Sequence, residues 1–137
     1  MQIQPYLFLD GRCEEAIEFY KKVFGAQVGM LMRFKEAPPQ SDAPACTPAT
    51  AEKIMHASVT IGESRVMMSD GRNSGAPKFE GFALSVNARD EADANRMFGA
   101  LANGGQVTMP LAKTFFSPCF GMVADKFGVR WMIIVEP

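Results

Sequence analysis

Long apolar runs are missing from this sequence. No stretch approaches the roughly 18 consecutive apolar residues that a spanning helix needs, so no transmembrane helix is predicted within its 137 residues. Positive charge in excess is missing as well: 14 Lys and Arg stand against 15 Asp and Glu, and the basic residues are scattered. The electrostatic footprint required by nucleic acid or an anionic membrane is therefore absent, and neither partner is expected. Cysteine is scarce. Cys13, Cys46 and Cys119 cannot all pair within one chain, and their wide spacing suits neither a disulfide framework nor a zinc knuckle, so reduced thiols are expected. The start, Met1-Gln2-Ile3-Gln4-Pro5, carries no basic stretch ahead of an apolar run, which makes cytoplasm the expected location. Histidine occurs once, at His56.

What is present suits one packed domain, since 47% apolar and 21% charged residues lie in the ordinary globular range. Ile3 to Leu9 reads as a first strand ending at the turn Asp10-Gly11. From Arg12 to Phe24 the apolar residues Ala16, Ile17, Phe19, Tyr20, Val23 and Phe24 recur at spacings of three and four. Acids come early and lysines late, as a helix dipole favours, and Gly25 supplies the stop. Ala26 to Phe34 reads as a strand, and Glu36 to Thr50, with four prolines, as a long loop. Ile54 to Ile61 and Arg65 to Ser69 form a hairpin through Gly62-Glu63-Ser64, followed by a Gly- and Pro-containing loop from Asp70 to Lys78.

The order then repeats. Phe82 to Val86 is a strand, Asp90 to Ala102 a helix stopped by Gly104-Gly105, Gln106 to Met109 a strand. Phe120 to Ala124 and Val129 to Val135 form a last pair joined by Asp125-Lys126-Phe127-Gly128. Leu9-Asp10 and Gly25-Ala26-Gln27-Val28 are echoed by Val86-Asn87 and Gly105-Gln106-Val107. The predicted fold class is α+β, with one βαβββ module over about residues 1–72 and a second over about 79–137.

Glu18-Phe19-Tyr20 before Val23-Phe24-Gly25, within such a pair of modules, resembles the vicinal oxygen chelate superfamily of glyoxalase I, bleomycin-resistance proteins and extradiol dioxygenases. Pro5-Tyr6-Leu7-Phe8, Ala16-Ile17-Glu18-Phe19-Tyr20, Lys53-Ile54-Met55-His56-Ala57, Val107-Thr108-Met109-Pro110-Leu111, Phe120-Gly121-Met122 and Asp125-Lys126-Phe127-Gly128-Val129-Arg130-Trp131-Met132 are similar to its PhnB-like branch. That branch also carries the label 3-demethylubiquinone methyltransferase-like, yet no Gly-rich strand-to-helix turn suited to S-adenosylmethionine is present.

The resemblance implies curved mixed sheets around a cleft, a homodimer, and in metal-dependent members one ligand in the first and one in the last strand of each half. Here those four positions fall on Pro5, Met67, Gly81 and Met132, none of them a donor for zinc, nickel or iron. No cofactor is therefore expected, and the reading is metal-free binding of a small, partly apolar molecule rather than catalysis. The alternatives are a cofactor-independent lyase, isomerase or hydrolase, or a metal-dependent glyoxalase- or dioxygenase-type enzyme drawing ligands from other positions.

Strand alternation puts His56 on one face with Ser58 and Thr60, and hairpin pairing adds Arg65, Met67 and Ser69. His56 suits a hydrogen-bonding anchor or general base, because imidazole exchanges protons near neutral pH; a histidine that merely satisfies nearby hydroxyls is the plainer alternative. Arg130 and Met132 share a face of the last strand, where the arginine would hold an anionic group or simply reach solvent. Phe115 and Phe116, between Pro110 and Pro118, suit an apolar wall or flap, or equally a packing role. Cys119 has no base placed beside it by the sequence and is expected to be structural.

Overall fold

The computed structural model describes residues 1–38, 47–71 and 77–137; parts of both expected long loops, and Cys46 with them, lie outside the described residues. The chain divides into two compact units, Met1–Pro77 and Lys78–Pro137. The first contains β1 (Tyr6–Phe8), α1 (Cys13–Phe24), β2 (Gln27–Arg33), a single 3-10 turn (Phe34–Glu36), β3 (Ile54–Ile61) and β4 (Ser64–Ser69). The second contains β5 (Leu84–Ala88), α2 (Glu91–Ala102), β6 (Gln106–Ala112), β7 (Cys119–Ala124) and β8 (Arg130–Val135). Each unit has one four-stranded mixed sheet, in the orders β1-β4-β3-β2 and β5-β8-β7-β6. In each the first strand runs parallel to the last and the remaining pairs are antiparallel. The α+β class and the repeated βαβββ order are those the sequence predicts.

α1 forms where the apolar stripe predicts it, with Cys13, Ala16, Ile17, Tyr20 and Val23 buried. Arg12 at its N-cap supplies no side-chain acceptor. The cap comes from Asp70, just past β4, whose carboxylate accepts the Cys13 N–H at 2.9 Å and the Ile54 N–H at 2.8 Å. One buried carboxylate thus ties the helix start to the sheet and satisfies two backbone donors that would otherwise lose their water. Gly25 closes α1 in the left-handed conformation (φ 68°), donating to the Lys21 carbonyl while Ala26 donates to that of Tyr20. α2 is capped locally: Asp90 accepts the Asp93 N–H at 2.8 Å.

Several boundaries differ from the sequence expectation. β1 starts at Tyr6 rather than Ile3, and Ile3 is exposed. β2 stops at Arg33, where the Glu36 carboxylate captures the Arg33 N–H and turns the chain into the 3-10 segment. The hairpin between β3 and β4 has two connecting residues, because Ile61 pairs with Ser64, and Gly62 supplies the positive φ of 59°. β5 lies two residues later than expected. β6 continues through Pro110 to Ala112; it is the outer strand of its sheet, and its register shifts between Met109 and Ala112, so the missing N–H is tolerated.

Candidate functional site

Alternation assigns the two faces of the first sheet. Leu7, Leu9, Ala57, Val59, Val66 and Met68 are buried in the core. Tyr6 and Phe8 on β1, Arg65 and Met67 on β4, and His56, Ser58 and Thr60 on β3 occupy the opposite, open face. Met32 pairs with His56 and Met30 with Ser58, extending that face to the outer strand. Ser69 shares the alternation of Met67 but is buried at its end. Of the six residues expected together from this unit, His56, Ser58, Thr60, Arg65 and Met67 are on the open face, and Ser69 is buried at its end.

The chemistry of that face centres on a contact between nonadjacent strands. The Tyr6 hydroxyl lies 3.1 Å from Nδ1 of His56, so the imidazole reaches across β4 to β1. Their rings lie 5.6 Å apart, and Phe8 stacks on Tyr6 at 4.9 Å. With one ring nitrogen held by Tyr6, the other can donate or accept according to tautomer. Tyr6 is the partner of His56 that sequence reasoning does not find. It is in a block that was recognised, but its proximity to His56 depends on the sheet order β1-β4-β3, which alternation within a strand does not reveal.

In the second unit Trp131 and Ile133 are buried while Arg130 is exposed and Met132 partly so. Arg130 and Met132 thus share the open face of β8 with Met122 and Ala124 of β7. Arg130 opposite Ala124 corresponds to Arg65 opposite Thr60 in the first unit, each two residues before the open-face methionine of its strand. Phe115 and Phe116 project from a tight turn in which Thr114 Oγ1 accepts the N–H groups of Phe116 and Ser117. Phe116 rests edge-on against Phe120 at 5.0 Å, whereas Phe115 stands fully in solvent.

Cys119, one residue before the strand expected from Phe120, begins β7 and is buried, its N–H held by Ser117 Oγ at 3.1 Å. Burial, reinforced by Glu91, pushes its thiol above the ordinary range, which makes it a poor nucleophile.

The positions associated with metal binding do not fit a divalent ion. Pro5 precedes β1 and offers only its carbonyl, which accepts the Met67 N–H; the residue in register with Met67 is Tyr6. Gly81 precedes β5, and Ser85 is the residue in register with Met132, which corrects the position inferred from sequence. Thioethers, a phenol and a hydroxyl replace the imidazoles and carboxylates such ions require. Among the described residues no group of three or more His, Cys, Asp and Glu side chains converges. S-adenosylmethionine fares no better: the turns into the helices, Leu9-Asp10-Gly11-Arg12 and Ala88-Arg89-Asp90, carry no glycine-rich phosphate- or nucleotide-binding loop.

With that geometry in view, the chain matches known proteins along nearly its whole length. The profile of the family described as 3-demethylubiquinone-9 3-methyltransferase matches residues 1–134. Protein YjdN of Escherichia coli (strain K12) is 39% identical over 142 residues, covering 98% of this chain and 95% of that protein. Among solved structures, protein PA1353 from Pseudomonas aeruginosa is 37% identical with a TM-score of 0.85, covering 99% of this chain and 98% of that one. A PhnB protein from Bacillus cereus is 27% identical with a TM-score of 0.81, covering 99% and 100%. Two βαβββ units, the sequence blocks that mark them and these matches together show that the chain belongs to the PhnB-like family described as 3-demethylubiquinone-9 3-methyltransferase.

Proposed function

We propose that this protein binds a small, partly apolar molecule on the open face of its first sheet, with His56 as the polar anchor. The observation that carries the reading is the Tyr6–His56 hydrogen bond: it fixes a polar group among Phe8, Met32 and Met67. A surface of thioethers and aromatic rings adapts to apolar shapes, while one oriented imidazole gives direction. Arg65, exposed at the end of the same face, suits an anionic substituent, and Ser58 a hydroxyl or carbonyl.

Anilinonaphthalene sulfonate, apolar and anionic, is a suitable probe. It is expected to bind the native protein and to shift amide signals of β1, β3 and β4. His56→Ala is expected to weaken binding roughly tenfold, about 1.4 kcal/mol. Unchanged affinity in that variant, with the fold intact by circular dichroism, would refute the anchor. Binding of an anionic group in the second unit rests on Arg130 in the same way, with Met132 and Phe116 as the apolar contacts; Arg130→Ala tests it.

A second reading, a cofactor-independent lyase, isomerase or hydrolase with His56 as base, is favoured by the same hydrogen bond. If Nδ1 donates to the Tyr6 oxygen, Nε2 is left free to take a proton. Tyr6→Phe would then lower turnover while leaving probe affinity nearly unchanged; lowered probe affinity, with no turnover in the parent protein, would favour binding alone. We also infer a homodimer, as the family resemblance implies, and a cytoplasmic location; among the described residues no helix is long and apolar enough to cross a membrane. Light scattering giving the mass of one chain would overturn the dimer.

A further inference from the structure

The open face of the second sheet holds an arrangement of which the reading above uses only Met132. Met109 of β6 pairs with Met122 of β7, and Met122 pairs with Met132 of β8. Paired residues on adjacent strands share a face, so three thioethers form one row across three strands. All three are at least partly exposed, Met109 at 44%. The row ends at Ser85 of β5, and no carboxylate shares it.

Neighbouring strands are about 4.8 Å apart, so the outer α-carbons of the row are separated by about 10 Å. Methionine is long, unbranched and freely rotating, which lets the two outer sulfurs lean over the central one. Three uncharged thioethers in contact are the donor set preferred by a soft monovalent cation of the Cu(I) type and rejected by hard divalent ions. We propose that Met109, Met122 and Met132 form a site for such a cation.

The first unit contains its own control. The equivalent row is Met30, Ser58 and Met67, as Ser58 pairs with Met30 on one side and Met67 on the other. A serine stands where the central sulfur would be, and the two remaining thioethers are separated by the whole width of β3. The soft site therefore belongs to the second unit alone. It shares only Met132 with the positions at which metal-dependent relatives hold their ion, and it does not depend on the His56 face.

The test is titration of the full-length Cys46→Ser chain with silver nitrate in chloride-free buffer, observing the 13C-labelled methionine methyl groups. The substitution removes one thiol, and Cys13 and Cys119 are buried. One equivalent of Ag(I) is expected to shift the methyl signals of Met109, Met122 and Met132 together. Thioethers have no proton to lose, so affinity is expected to stay flat from about pH 5 to 8, unlike that of a thiolate or imidazole site. Met122→Leu keeps the apolar shape and removes the sulfur; it is expected to weaken binding about tenfold or more. Ser58→Met is expected to create a second, weaker site. The proposal is overturned if Ag(I) leaves the three methyl signals in place, if Met122→Leu binds as tightly as its parent, or if affinity rises steeply with pH. Because anilinonaphthalene sulfonate reports on the His56 face and Ag(I) on this row, either reading can fail while the other stands.

Discussion

Asp70 and Asp125 are both buried, and both accept hydrogen bonds from backbone N–H groups. Asp125 accepts the N–H groups of Phe127 at 2.9 Å and Val129 at 3.1 Å through one oxygen, and the indole N–H of Trp131 at 2.9 Å through the other. Removing it strands three donors away from water, so Asp125→Ala is expected to destabilise by about 3 kcal/mol or more, measured by urea unfolding. Asp125→Asn keeps only one acceptor oxygen and should fall between. Asp70 caps α1 from a distance, and nothing in the letters around Arg12 and Cys13 announces that cap. Next to it, burial, with Asp70 and then Glu14 adding to it, pushes the Cys13 thiol far above its ordinary range. Cys13 and Cys119 are accordingly expected to resist a chromogenic disulfide reagent at pH 8 in the native protein and to react on unfolding; rapid labelling of either in the folded chain would contradict their placement.

At the level of elements, local pattern specifies identity and face, while partners depend on sheet order. Alternation along Ile54–Ile61 is enough to put His56 with Ser58, and hairpin pairing is enough to add Met67. It cannot bring Tyr6 to His56, because β1 and β3 meet only through β4, and a parallel neighbour has no turn to set its register. β6 was cut short at Met109 for a related reason: Pro110 reads as a stop until the strand is known to be an outer one. Two glycines mark where elements approach closely. A side chain at Gly105 would run into the Ala124 carbonyl, and one at Gly121 would lie 2.8 Å from Phe98 of α2 and 2.9 Å from Leu111. Gly105→Ala and Gly121→Ala are each expected to destabilise by about 1–3 kcal/mol, as overpacking does, whereas Gly99→Ala, with open space around it, should be neutral or slightly stabilising. Thermal unfolding of the three variants distinguishes these cases.

For the whole chain, acid is expected to loosen both units. Glu14 is held below its ordinary value of 4.5 by its hydrogen bond to Arg33, against the opposing effect of burial, and Glu52 likewise by Lys35. For Asp93 burial pushes upward, but the Arg89 amide and the Arg96 guanidinium outweigh it and the net shift from 3.8 is downward. A carboxylate with a depressed folded value stabilises fully above its unfolded value and loses that contribution as pH falls through the folded one. Stability is thus expected to be level above about pH 5 and to decline below about pH 4, with a shallower decline in Glu14→Gln. Glu14 and Glu52 are largely exposed, so their effects are small. Urea midpoints from pH 3 to 7 measure it.

The duplication was read from element order, and the registers make it more specific. Gln27-Val28-Gly29-Met30 and Gln106-Val107-Thr108-Met109 open the outer strands, and both lose register at the same place, between Val28 and Met30 and between Val107 and Met109. An outer strand with a straight run of free N–H and C=O groups is a template on which another molecule can grow, and an extra residue bends that template out of true. Both bulges lie beside exposed valine and methionine, where such growth would otherwise be most favourable. Deleting Gly29 or Thr108 is therefore expected to produce a chain that still forms its strands but accumulates as insoluble, thioflavin-positive material, as an irregularity that opposes growth along the outer strands of both halves requires.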